Sequence, residues 1–335
     1  MRIVVFGDQR RVGAWVDDQI VDLNNAYAHH LQQQGRPFPE ETADVLLPSS
    51  LERFIAAGPS AIEEAQRAID VAISAGLDSG LTQLAASLQI HAPWPGRRIA
   101  CAGGNFAGHL LGLVRHRPGH EDATVESIAR STRDAGQWGF WKVPDVVTGP
   151  DGDVPFPSHS DYLDYEGELA IIIGRRGKNI AASDVGRYVW GVTLVNDWSK
   201  RDRSASPSRP VSYNGAKNFD GSTSMGPCIV VDEINYQDVE LETRVNGELR
   251  QSYNTAGMIF SFGEILEHLS TDFTFVPGDI ISAGTDAGTA ADLTAPGPDG
   301  SRSTDLFLKV GDVVEISSPS IGSLRNAIVA ETTGE

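Results

Sequence analysis

Three carboxylates stand where apolar runs begin and end. In DYLDYEGELAIIIG, residues 161 to 174, Glu166 and Glu168 lead into the run Leu169 to Ile173, which Gly174 stops. That run has the length and composition of a buried strand. Side chains alternate across a strand, so the two glutamates share one face, about 7 Å apart. Like charges that close repel each other, and each loses hydration on burial. Water, basic side chains or a metal ion must offset the cost. A second apolar run, YVWGVTLVND, ends near Asp197. Carboxylates with no His or Cys close in sequence suit a hard cation, Mg²⁺, Mn²⁺ or Ca²⁺, whereas zinc prefers His or Cys. The competing account pairs the glutamates with Arg175, Arg176 or Arg201, and spacing alone leaves both open.

The elements that position these groups fall into two parts. MRIVVFG, VGAWVDD and QIVDL read as short strands of a small α/β unit. A helix follows from Ser60 to Ala75, with a capping box at Ser60 and Glu63, a stop at Gly76 and an apolar face through Ile62, Ala65, Ile69, Ala72 and Ile73. No chemistry is evident there. HAPWPGRR, residues 91 to 98, reads as a linker, which sets a small N-terminal domain at 1–90 and a larger second domain at 97–335. The second part is strands and turns. Asn246-Gly247 signals a hairpin. Ser261 and Glu264 open a short helix, and PGDIISAG and VGDVVEI each place a Gly-Asp turn before a strand. The fold class expected is α+β, predominantly β. GTDAGTAADLTAPGPDGSRST reads as a polar, mobile loop.

Composition excludes several roles. The 335 residues carry a net charge of −18, which repels nucleic acid and anionic membrane. No apolar run approaches the roughly 18 residues of a membrane span. Cys101 and Cys228 form neither a disulfide framework nor a CxxC site, and both read as small buried hydrophobes. No signal-peptide core follows the start, so a cytoplasmic protein is expected.

Several blocks occur in a telling order: DYEGELAIIIG, VWGVTLVNDWSKRD, GAKNFDGSTSMGPCIV, VNGELRQSYNTAGMIFSFGEILEHLS, PGDIISAGT and VGDVVEISSPSIGSLRN. Through them the chain resembles the fumarylacetoacetate hydrolase family over about residues 99 to 326. The resemblance implies a mixed β-roll catalytic domain, a homodimer, and Mg²⁺ or Mn²⁺ held by Glu166, Glu168 and Asp197. It also implies that Lys217, in GAKNF, is an active-site lysine, whose ammonium would stabilise an enolate or oxyanion. Thr285 matches a substrate-binding threonine, although Asp286 stands where the family usually has proline. His109 matches the family's histidine, a base for water.

Hydrolytic members place a Glu three residues after that histidine, where this chain has Gly112. The segment Leu113 to Gln137, with its Pro118-Gly119 break, is therefore expected to be mobile without ligand and to fold over the metal when substrate binds. It would bring His116, His120, Glu121, Glu126 or another acidic group to His109. Lys142, in FWK, and the Arg-rich RSTRDAG read as packing and solvated surface. The function implied is metal-dependent hydrolysis of a C–C bond in a small acylpyruvate or 1,3-diketo acid. The alternatives are Mg²⁺-dependent isomerisation, decarboxylation or dehydration of a 2-keto-3-deoxy acid, and a catalytically silent metabolite-binding protein.

Overall fold

The computed structural model describes residues 1–116, 119–203, 213–231, 234–297 and 301–331. The three leading strands form as Arg2–Phe6, Arg11–Val16 and Gln19–Asp22, paired antiparallel in sequence order. Arg2–Phe6 also pairs with Thr223–Val230, so these strands continue a sheet that runs on through the rest of the chain. The helix expected from Ser60 spans Pro59–Ala75, and its start is corrected. Gly58 is the N-cap and Pro59 opens the first turn, so Ser60 already lies inside the helix and no side chain caps it. Proline at that position has its φ preset and lacks the N–H that a cap would satisfy. Gly76 ends the helix at φ +77°, as expected.

The centre of the large sheet carries the site. Gly167–Ile173 lies between Val189–Asp197 and Ile280–Ser282, antiparallel to both. Every residue of Gly167–Ile173 is buried, because each face of the sheet is covered. Leu169, Ile171 and Ile173 enter one apolar cluster, while Ala170 and Ile172 enter the other, beneath the N-terminal helices. Beyond Ile280–Ser282 the sheet continues through Ile99–Gly103, a parallel neighbour, and Trp138–Lys142.

A second sheet runs Glu248–Asn254, Glu240–Val245, Val313–Ser318, Gly322–Ala330, Asp153–Phe156. Its hairpin turns at Asn246 and Gly247, with φ of 52° and 81°, the two left-handed residues a tight hairpin requires. The capping box at Ser261 and Glu264 forms and opens the helix Phe262–Ser270.

The segment beginning at Gly284 departs from expectation. Gly284 to Asp292 is mostly buried and contains a one-turn helix, Ala290–Leu293, capped by Thr289 and Asp292. Its polar side chains bond the local backbone rather than solvent: Asp292 Oδ2 accepts from the N–H groups of Gly288 and Thr289, at 3.1 and 3.2 Å. Residues 298–300 of that segment, and Pro118 of the expected break, lie outside the described residues. Cys101 and Cys228 are buried and unpaired. Among the described residues no helix is long and apolar enough to cross a membrane.

Candidate active site

Strand register assembles the carboxylates. Glu168 pairs with Val195 and Gly167 with Asn196, so Glu166 falls opposite Asp197, whose N–H donates to the Glu166 carbonyl at 3.0 Å. Period-two alternation then turns Glu166, Glu168 and Asp197 to one face. One oxygen from each lies within 4.8 Å of the others, and all three residues are buried.

Basic side chains enter the same space. Lys217 Nζ donates to Glu166 Oε2 and, at 2.6 Å, to Asp197 Oδ2. Arg201 bridges Glu166 Oε1 at 2.6 Å and Asp164 Oδ2 at 2.7 Å. Arg201 is thus the ion-pair partner the sequence allowed, while Arg175 and Arg176 are exposed. Lys142 corrects the sequence reading. It is fully buried, and its Nζ donates to Asp197 Oδ1 and to the Ser222 carbonyl. The available signal was a lysine closing the aromatic strand Trp138–Lys142, because a lysine buried that deeply needs an anion.

Among the described residues, four carboxylates, counting Asp164, thus face three cationic side chains, and one negative charge is left over. It falls on Glu168, whose hydrogen bonds come from the Ser282 hydroxyl and the Gly284 N–H. Burial pushes the Glu168 carboxyl up, Asp197 and Glu166 add repulsion, and it rises to about 8. Glu166 goes the other way. Burial alone would raise it, but Lys217, Arg201 and His109 hold it well below the usual carboxylate range. Burial acts to lower Lys217, and Asp197 and Glu166 outweigh it, so the ammonium is held above its ordinary value. Three hard oxygen donors, buried together with one charge uncompensated, fit a divalent cation.

His109 sits on the helix Ala107–Val114. Its Nδ1 lies 3.0 Å from Asp292 Oδ2, and its Nε2 lies 3.9 Å from Glu166 Oε1. Burial lowers its affinity for a proton, and the Asp292 charge outweighs that, leaving it raised. The partner of His109 is therefore Asp292 and not Glu121 or Glu126, which are exposed. The helix Val125–Ala135, which bears Glu126, is tied down by Arg133, which donates to Glu264 Oε1 at 2.8 Å. Thr285 donates its hydroxyl to the Gly167 carbonyl at 2.9 Å and accepts from Gln251 at 2.8 Å. Asp286 turns back onto the His109 N–H at 3.2 Å. A cavity of about 140 Å³ opens beside these groups. Its outer wall includes Leu110, Trp138, Phe140 and Tyr213, with the Tyr213 ring stacked on Phe140 at 5.2 Å.

Fold and site together define a β-rich protein with a buried, metal-type acidic centre. Comparison with known proteins places it more closely. Residues 98–329 match the model of the fumarylacetoacetate (FAA) hydrolase C-terminal domain. The oxaloacetate tautomerase YisK of Bacillus subtilis is 34% identical over 327 residues, 95% of each chain. The fumarylacetoacetate hydrolase of Exiguobacterium antarcticum superimposes with a TM-score of 0.72 at 27% identity, covering 99% of this chain and all of that one. The 2-hydroxyhepta-2,4-diene-1,7-dioate isomerase of Mycobacterium marinum does so at 0.58 and 29%, covering 76% and 83%. The chain belongs to the fumarylacetoacetate hydrolase family, a family of enzymes.

Proposed function

We propose that this chain is a divalent-metal-dependent enzyme that enolises a small 2-oxo acid, with keto–enol tautomerisation of a 2-oxo dicarboxylate as its principal activity. One observation carries the reading: an imidazole, His109, and an ammonium, Lys217, converge on the same member of the carboxylate trio, Glu166. Enolisation needs a base at the carbon beside the carbonyl and positive charge where the oxygen becomes negative. Glu166, Glu168 and Asp197 would hold Mg²⁺ or Mn²⁺, which supplies Lewis acidity toward the 2-oxo group. His109 Nε2 takes the proton from carbon and returns it to oxygen, so the interconversion consumes none. Lys217 would face the developing oxyanion, and Thr285 lines the same cavity. A bound dication would add two positive charges beside Lys217 and Arg201, which suits an anionic substrate. Similarity to an oxaloacetate tautomerase over 95% of each chain supports the dicarboxylate class.

The paired imidazole also favours a second activity. With water in place of the carbon acid, His109 could take its proton and allow attack on an acylpyruvate, releasing a carboxylic acid and pyruvate. Two assays test the reading: decay of the enol absorbance of oxaloacetate, and loss of the acylpyruvate chromophore, each with Mg²⁺, Mn²⁺ or chelator. Metal-dependent enol decay faster than acylpyruvate cleavage is expected. The reverse order makes hydrolysis the principal activity, and no turnover in either assay makes the chain a metabolite-binding protein.

A further inference from the structure

We propose that Asp292 is the positioning residue of His109, carried by the Gly284-to-Leu293 segment onto a helix face that Gly108 and Gly112 leave bare. The role rests on the functional reading above, whereas the geometry does not. Gly108 and Gly112 stand one turn apart on Ala107–Val114, so they share a face. A Cβ on Gly108 would collide with Asp286 Oδ1, and one on Gly112 would lie 2.7 Å from Asp292 Cβ and 3.1 Å from its Cγ. Any side chain at 112 therefore excludes Asp292 from its place. The absent helix-borne acid and the present segment-borne acid are alternatives for one volume.

The same segment grips His109 twice. Asp286 Oδ1 accepts the backbone N–H, and Asp292 Oδ2 meets the ring. Because Oδ2 already accepts from Gly288 and Thr289, it is an acceptor, and the shared proton belongs to Nδ1 of the imidazole. The Nε2 lone pair is then left toward Glu166 and the cavity, the tautomer a base requires. The segment is itself fastened to the centre. Asp164 accepts the N–H groups of Ala290 and Ala291 at 2.8 and 3.1 Å, and Arg201 joins Asp164 to Glu166. The segment that carries Asp292 is therefore tied through Asp164 and Arg201 to Glu166.

Asp292→Asn preserves shape and can present an N–H to Nδ1. We expect kcat on oxaloacetate enol to fall by about 100-fold with KM little changed. Mn²⁺ affinity, a readout independent of turnover, should stay within a few-fold. In ¹⁵N-histidine NMR, with the His109 signal identified by its loss in His109→Gln, the ring should change from the Nδ1–H to the Nε2–H tautomer. Should Asp292→Asn fail to fold, Asp292→Gly and Asp292→Gly/Gly112→Glu replace it. The pair should recover at least about tenfold of the kcat lost by Asp292→Gly alone, because the carboxylate introduced on the helix then takes the vacated volume. Unchanged kcat and an unchanged tautomer in Asp292→Asn overturn the proposal, as does a double variant no better than the single. If wild type turns over no 2-oxo acid, the functional reading fails, while the tautomer comparison still decides whether Asp292 sets the ring.

Discussion

The strand pair bearing Glu166, Glu168 and Asp197 and the segment from Gly284 to Leu293 feed the same cavity by different means. In the strands, position follows from register. Once Glu168 pairs with Val195 the three carboxylates must share a face, and apolar neighbours on both sides fix the register. In the segment, position follows from a chain of side-chain bonds to backbone, and from the room two glycines leave on the facing helix. The sheet can place charges that repel, because the burial of its apolar residues holds them there. The segment places groups that must be oriented to within a bond's reach, and it does so by satisfying each polar atom locally. The trio is thus placed by register and His109 is oriented by the segment, and the two meet where Glu168 and Asp164 accept the segment's N–H groups.

The largest break in that comparison is expected at Lys142. Lys142→Met leaves Asp197 buried with one ammonium fewer, and breaking a buried pair costs about 3–5 kcal/mol. Denaturant titration of metal-free protein should show a loss of that size, partly recovered when Mn²⁺ is added. No loss would mean that Lys142 contributes nothing to the strand-borne charge cluster. Lys217→Met breaks buried pairs too, and in addition should act on chemistry. Removing one preorganised positive donor from an oxyanion lowers kcat by about 10²–10³-fold, with Mn²⁺ binding retained. Activity within a few-fold of wild type would remove Lys217 from the reaction.

The smallest effect sharpens the comparison through pH. The Glu168 carboxyl is raised to about 8 in the metal-free fold. A raised acid stabilises the metal-free fold fully below its unfolded pKa near 4.5, and that contribution is lost as pH rises through about 8. A metal ion needs the carboxylate, so binding expels this proton. Mn²⁺ affinity should therefore climb about tenfold per pH unit toward pH 8 and level off above it. Isothermal titration at several pH values reads the slope, and a flat profile would detach Glu168 from the metal.

What was legible in the sequence divides along the same line. The Glu-x-Glu pair announced itself because two charges before an apolar run conflict with a period-two pattern. Asn246-Gly247 and the Ser261–Glu264 box declared their turn and helix start through local chemistry. Asp292 was not legible. It stands 183 residues from His109, inside a Gly-, Thr- and Asp-rich stretch whose composition is that of a solvated loop. Only the fold shows that those side chains cap and clamp. Gly112 does mark a missing partner, but nearness in sequence points to Glu121 and Glu126, which are exposed. Lys142 was missed because its anion comes from a strand 55 residues later. Ser60 misled because Pro59, one residue earlier, already starts the helix.

Joint action of the buried carboxylate trio and His109 in moving a proton on a 2-oxo acid has a direct readout. It is tested most directly by following solvent deuterium into the carbon beside the carbonyl of 2-oxobutyrate by proton NMR. Wild type, Glu168→Gln and His109→Gln are compared, with Mg²⁺ and with chelator, against enzyme-free controls. Exchange above the control is expected for wild type with Mg²⁺ alone, and exchange at the control level for both variants and after chelation. Exchange by wild type that survives chelation, or that Glu168→Gln retains, would contradict it.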